Sequence, residues 1–181
     1  MKNISIAFLG ILLIYGCSFK MPGFKEVKEP FSGGKYESNG RWFRGTGSGE
    51  SMSMETSKDK AMLLAKQRLA AGVQTQMKTV SEEYKGERQA DNAMGDFNDR
   101  FQSLTREVMS QVLIEVQMID SKTFQKSDRT YICYVALEAR KKTLYKKLKE
   151  IAAQKTSLSD KDKKYIQEMM EKAIKNLDDG E

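Results

Sequence analysis

Apolar residues recur along this chain with several spacings, and each spacing predicts a different kind of element. Between 57 and 84 they fall at Met62, Ala65, Leu69, Val73, Met77, Val80 and Tyr84, three or four apart throughout, which is the period of one helix face. Phe97, Phe101, Leu104, Val108 and Val112 repeat that period and predict a second helix of about sixteen residues. The stretch 85–96 between them is polar and contains Gly86 and Gly95, so the helical run breaks there. Beyond 112 the period shortens to two. Ile114, Val116 and Met118 alternate, and 123–126, Ser127-Asp128 and 129–137 read as strand, tight turn and strand. In the last strand Tyr131, Cys133, Val135 and Leu137 point one way and Ile132, Tyr134 and Ala136 the other. Both faces are apolar, so this strand belongs in the middle of a sheet.

An earlier strand is expected at 41–47, where Trp42 and Phe43 are followed by small residues that admit a close backbone neighbour, with 48–57 a polar loop after it. Two helices close the chain. The first, 138–154, is lysine-rich with Leu144, Leu148 and Ile151 on one side. The second opens on the capping-box-like Ser159-Asp160-Lys161-Asp162 and continues through Ile166, Met169, Met170, Ala173, Ile174 and Leu177. Strands and helices come in runs rather than strict alternation. The expected fold is therefore α+β: a small, mostly antiparallel three-stranded sheet with helices packed on one face and an extra C-terminal amphipathic helix.

The remaining pattern is an uncharged apolar run from Ile4 to Ile14, preceded by Lys2. Eleven residues make only about 16 Å of helix against a hydrocarbon slab of about 30 Å, so the run reads as a signal-peptide core rather than a span. Directly after it, Ile14-Tyr15-Gly16-Cys17 resembles the lipobox, in which an aliphatic and then a small residue precede an invariant cysteine. That resemblance implies a bacterial source, diacylglycerol joined to the Cys17 sulfur, cleavage between Gly16 and Cys17, and acylation of the new amino group. Acyl chains contribute on the order of 0.8 kcal/mol per buried methylene, so a triply acylated cysteine is a stable membrane anchor. The alternative is an uncleaved N-terminal anchor in which Cys17 is an ordinary thiol.

The chain then divides into a signal peptide at 1–16, a lipidated flexible tether at 17–35, an α+β domain at 36–155 and a C-terminal helix at 156–181. The tether assignment rests on Pro22, Pro30, the glycines and the lack of any sustained period. Loss of Lys2 with the signal leaves 30 basic against 25 acidic side chains. These charges are mixed along the helices, as on solvated faces, and no basic stripe with a nucleic-acid motif appears. The expected contacts are membrane lipid through Cys17 and either another envelope protein or peptidoglycan, with no nucleic acid.

Candidate chemistry is sparse. The chain has no histidine, which removes His-based triads, His-ligated zinc and the commonest general base. Cys133, inside an apolar strand, reads as a buried small hydrophobe, and an acylated Cys17 leaves it no disulfide partner. Gly45-Thr46-Gly47-Ser48-Gly49 lacks the spacing of a dinucleotide fingerprint and the ending of a P-loop, so it reads as strand or exit turn. Glycosidase-type work needs two carboxylates flanking a bond. Glu82/Glu83, Asp96/Asp99 and Asp160/Asp162 lie instead at polar helix ends or in loops, where such residues are solvated or act as caps. Met52 and Met54 approach a soft-metal ligand pattern, but Met62, Met77 and Met169 sit on helical stripes, and packing is the better explanation. No catalytic residue, metal or cofactor is therefore expected.

The lipobox, the Trp42-Phe43-Arg44-Gly45-Thr46-Gly47 strand, the alanine-dotted helix Ala61-Met62-Leu63-Leu64-Ala65-Lys66-Gln67-Arg68-Leu69-Ala70 and the strand Tyr131-Ile132-Cys133-Tyr134-Val135-Ala136-Leu137 together resemble the twenty-kilodalton bacterial outer-membrane lipoprotein family. The resemblance covers roughly 36–155 and consists of packing patterns. It implies a non-enzymatic, lipid-anchored envelope protein of the outer membrane, a binding, scaffold or accessory factor. Ser18 after the cysteine is compatible with outer-membrane sorting. The competing reading is a cell-wall hydrolase using Asp or Glu carboxylates.

Overall fold

The computed structural model describes residues 27–87 and 94–179. The signal peptide, Cys17 and the first part of the tether lie outside these residues, as does most of the break between the first two helices. The described chain forms β1 (Trp42–Ser51), α1 (Met54–Glu87), α2 (Met94–Val112), β2 (Gln117–Gln125), β3 (Tyr131–Arg140), α3 (Lys141–Gln154) and α4 (Asp160–Asp179). This is the expected α+β order. The strands make one antiparallel sheet in the order β1-β3-β2, with the doubly apolar strand in the centre.

The sheet is asymmetric. Phe43, Gly45, Gly47 and Gly49 of β1 are buried on the same side as Cys133, Val135, Leu137 and Ala139 of β3, and the helices cover that side. The inner stripe of α1, comprising Ala61, Ala65, Leu69, Val73, Met77 and Tyr84, lies against this face, and Phe97, Phe101, Leu104 and Val108 of α2 complete the same core. The β1–α1 contact is unusually close. A methyl group on Gly47 would lie 2.3 Å from the Ala61 carbonyl oxygen and 2.5 Å from the Ala65 nitrogen, and one on Gly45 would lie 2.4 Å from the Ala65 carbonyl. Only glycine lets the helix backbone rest directly on the strand.

This contact explains why β1 is longer than its composition predicts. Residues 48–51 look like loop, yet they remain in the sheet, with Gly49 seated against Ser57, whose hydroxyl donates to the Gly49 carbonyl at 2.7 Å. The polar loop shrinks to two residues, and α1 begins at Met54.

The β2–β3 connection is likewise longer than two residues. Lys126 N–H donates to Thr130 O at 2.8 Å, enclosing Ser127, Asp128 and Arg129, and Arg129 sits in the left-handed region at φ 65°. Asp128 stabilises the loop by accepting from the Thr130 N–H at 3.0 Å. At the other end of β3 the chain passes into α3 without a loop, and the Lys141 N–H, an orphan donor at the helix start, bonds the Arg41 carbonyl at 2.9 Å.

The expected capping box opens α4. The Asp162 N–H donates to Ser159 Oγ at 3.1 Å, and the Ser159 N–H reaches back to Asp162 Oδ2 at 3.4 Å. Ile166, Met169 and Met170 of α4 are fully buried with Leu144, Tyr145 and Leu148 of α3, so the C-terminal helix belongs to the same core as the rest. The end of the expected tether is also built into the fold. Phe31 is buried, packs its ring at a tilt 4.9 Å from that of Tyr36 and lies under the Lys122 ammonium, so residues 29–38 form a strap over the outer face of the sheet.

Candidate functional site

Cys17 and the Gly16–Cys17 bond, the residues with an expected chemical role, lie outside the described residues. Those that can be placed serve packing or surface pairing. Cys133 is completely buried beneath α1 and shares a 2.8 Å contact with the Thr123 hydroxyl across the β2–β3 pair. Met77 and Met169 are core residues, while Met52 and Met54 are exposed at the β1–α1 turn. Glu82 pairs loosely with Lys78 on an exposed helix face. Lys147 and Lys149 of the lysine-rich α3 are engaged separately, with Glu115 at 2.7 Å and Glu171 at 2.6 Å, so they do not form one open basic patch. Among the described residues no group of three or more His, Cys, Asp or Glu side chains is placed to hold a metal ion, and no helix is long and apolar enough to cross a membrane.

Asp162 has the most developed electrostatic setting of the carboxylates. Arg100 of α2 grips both its oxygens, at 3.0 and 3.1 Å, while Ser159 bonds it from the cap. Burial alone would raise its pKa, but the Arg100 and Ser159 hydrogen bonds and the guanidinium charge outweigh that and hold it below the ordinary carboxylate range. The geometry is that of a tie between helices.

Two surfaces remain. One is the outer face and free edge of the sheet. The strap covers part of it: the Tyr36 hydroxyl donates to Asp120 at 2.7 Å, and the half-buried pair Arg44–Glu138 bridges β1 to β3 at 2.9 Å. Towards the β2–β3 turn the strap ends. Phe124 stands half exposed, edge-on to Tyr134, and β2 is solvent-facing along residues 121–125. As an outer strand, β2 leaves backbone groups on one side without a strand partner.

The other surface is a cleft at the opposite end of the strands, lined by α1, the start of α3 and the last turns of α4. It has about 170 Å³ of free volume and is walled by Val80, Tyr84, Met169, Ala173 and Leu177. Two buried polar side chains of α3, Lys141 and Tyr145, also line it. Burial lowers the Lys141 pKa and pushes the Tyr145 phenol up to about 12.

No protein-family model, curated protein or solved structure matches this chain. The cleft and the sheet surface are therefore interpreted from their own chemistry. Sequence patterns alone did not reveal the cleft. Lys141 and Tyr145 sit in a lysine-rich helix that reads as solvated, and α4 buries them only in the assembled fold. The one local signal is Tyr145 falling beside Leu144 and one turn before Leu148 on the helix surface.

Proposed function

We propose that this chain is a lipid-anchored, non-catalytic protein of the bacterial cell envelope that binds another envelope protein. The observation that carries this reading is Ile14-Tyr15-Gly16-Cys17, placed directly after an uncharged apolar run with a lysine at its head. The pattern of the twenty-kilodalton outer-membrane lipoproteins supports it and favours the outer membrane as the site of anchoring. Thirteen residues separate Cys17 from Phe31, the first buried residue among those described, so the domain is held within about 50 Å of its lipid.

The β2 edge supports a protein partner, because an extended segment can add to it by main-chain hydrogen bonds. The apolar stripe of α4 is occupied by the core and is not open to a partner. Anchoring is tested by labelling cells with a palmitate analogue and weighing the mature chain. Label on the wild type, none on Cys17→Ala, and loss of residues 1–16 are expected; an unlabelled wild type that retains those residues refutes the anchor. A photo-crosslinker at Ser121 or Thr123 is expected to capture a protein in intact cells, while the same group at exposed Lys175 of α4 captures none.

A further inference from the structure

Three exposed apolar side chains lie at one end of the sheet, and the strap that leads back to Cys17 begins at that same end. Ser51, the last residue of β1, and Gln125, the last of β2, both face Tyr131 at the start of β3. Met52 and Met54 follow β1 directly and are 79% and 57% exposed, and Phe124, one residue before the end of β2, is 49% exposed. β1 and β2 flank β3, about 10 Å apart, so the three side chains share the rim around the β2–β3 turn. Single exposed apolar residues are ordinary on a protein surface. Three gathered at one end, where polar residues would serve the fold equally well, mark a contact surface.

The strap identifies what this end faces. Phe31 lies under the Lys122 ammonium, the Tyr36 hydroxyl bonds Asp120, and Ser38 accepts from the Arg44 N–H. Those three partners stand opposite Tyr134, Ala136 and Glu138 of β3, so the strap runs away from the β2–β3 turn as its numbering rises. Its upstream end, thirteen residues from Cys17, therefore sits at the turn end of the sheet, and a lipid on that cysteine is tied to this end rather than to the far one. Methionine and phenylalanine side chains insert at the boundary between headgroups and acyl chains. A short tether keeps such a tip at high effective concentration beside the bilayer, so a few side chains suffice there that could not recruit a free protein. The charges within 50–60 and 124–130 balance, four acidic against four basic, so the contact is apolar and does not require anionic lipid. We propose that the end of the sheet carrying Met52, Met54 and Phe124 docks on the bilayer that holds the lipid anchor, standing the strands upright and turning the β2 edge sideways along the membrane. Docking of this kind rests on the anchor at Cys17 proposed above.

The test uses the mature lipidated chain reconstituted into phosphatidylcholine vesicles, with or without phosphatidylglycerol, whose acyl chains carry bromine as a quencher. An environment-sensitive dye is attached to Ser127→Cys in the turn or to Ile114→Cys, exposed at the opposite end of the sheet; Cys133 is completely buried and does not compete for it. Quenching at least threefold stronger at 127 than at 114, and equal in the two kinds of vesicle, is expected. Met52→Ser combined with Met54→Ser, at exposed positions where the melting temperature should not change, is expected to reduce quenching at 127 to the level at 114. Phe124→Ser alone is expected to weaken it. Equal quenching at the two ends, quenching at 127 that survives either substitution, or quenching that needs phosphatidylglycerol overturns the proposal. Flotation and the mass of the same preparation report the anchor separately. A chain that does not float with the vesicles refutes the anchor and the docking that depends on it, whereas a chain that floats with an unquenched dye at 127 refutes the docking alone.

Discussion

On the helix side of the sheet, β1 meets α1 backbone to backbone through a row of glycines. On the outer side the same strand carries Arg44, Thr46 and Ser48, half covered by a strap that hangs on Phe31 and Tyr36. The first contact has no spare volume: any added atom meets main chain, which cannot swing aside. The second is made of side-chain tips and ring faces that can adjust. One strand thus has a face that specifies the fold by exclusion and a face that tolerates change, and adjacent positions in sequence should respond very differently to substitution.

The largest effect is expected at the glycine row. Gly47→Ala places a methyl 2.3 Å from a helix carbonyl, so denaturant unfolding should show a loss of about 3 kcal/mol or more. Thr46→Ala, one residue away on the outer face, should change stability by less than about 1 kcal/mol. Equal losses at the two positions would remove the distinction between the faces.

Removing the strap's anchor comes next. Phe31→Ala should cost about 2 kcal/mol from lost apolar burial and open the segment 29–38 to limited proteolysis before the core unfolds. Simultaneous cleavage of strap and core would show that the two layers are not separable.

Asp162→Asn should cost roughly 1–2 kcal/mol at neutral pH, because it weakens the charge-assisted bonds to Arg100. The native pKa of Asp162 is depressed, so its stabilisation is complete above the unfolded value of about 3.9 and disappears as the pH falls through the lower native value. Asp120, lowered chiefly by the Tyr36 hydroxyl, acts in the same direction from the strap. Stability measured between pH 6 and pH 2 should therefore fall less steeply in Asp162→Asn than in the wild type, and a parallel decline would contradict the assignment.

The smallest effect is a gain. Arg129 occupies a left-handed position that glycine accepts without strain, so Arg129→Gly should stabilise the β2–β3 loop by about 0.5 kcal/mol in the same unfolding assay.

The periodic elements were legible in the sequence because burial on one side imposes its spacing directly. The three-and-four stripe from Met62 to Tyr84 and the doubly apolar Cys133 strand could take few other positions. The end of β1 was obscured because Ser48, Gly49 and Glu50 have loop composition. A period-two signal was nevertheless present, in glycine rather than in bulky residues: positions 45, 47 and 49 all face α1. The strap was hidden around and after the second proline, where one phenylalanine carries no period, and Arg129 was hidden because its backbone angle follows from loop length rather than residue type. The burial of Lys141 left no local signal and that of Tyr145 only its place beside Leu144 and Leu148, since the cleft they line is completed by α4, which arrives later in the chain.

The pairing of β1 with β3 joins residues eighty to ninety-eight positions apart, whereas the β2–β3 pair closes a local loop. During synthesis β1 and α1 are therefore complete long before the strand that hydrogen-bonds β1 exists, and the sheet cannot close until most of the chain has emerged. Such non-local pairing slows folding and leaves a strand waiting with its backbone unpaired. The sequence Arg44-Gly45-Thr46-Gly47-Ser48-Gly49-Glu50 is well suited to that wait. It is too polar and too glycine-rich to join a neighbouring chain as a sticky β-segment, so the row that lets α1 sit close in the finished protein also shields the unfinished one from aggregation.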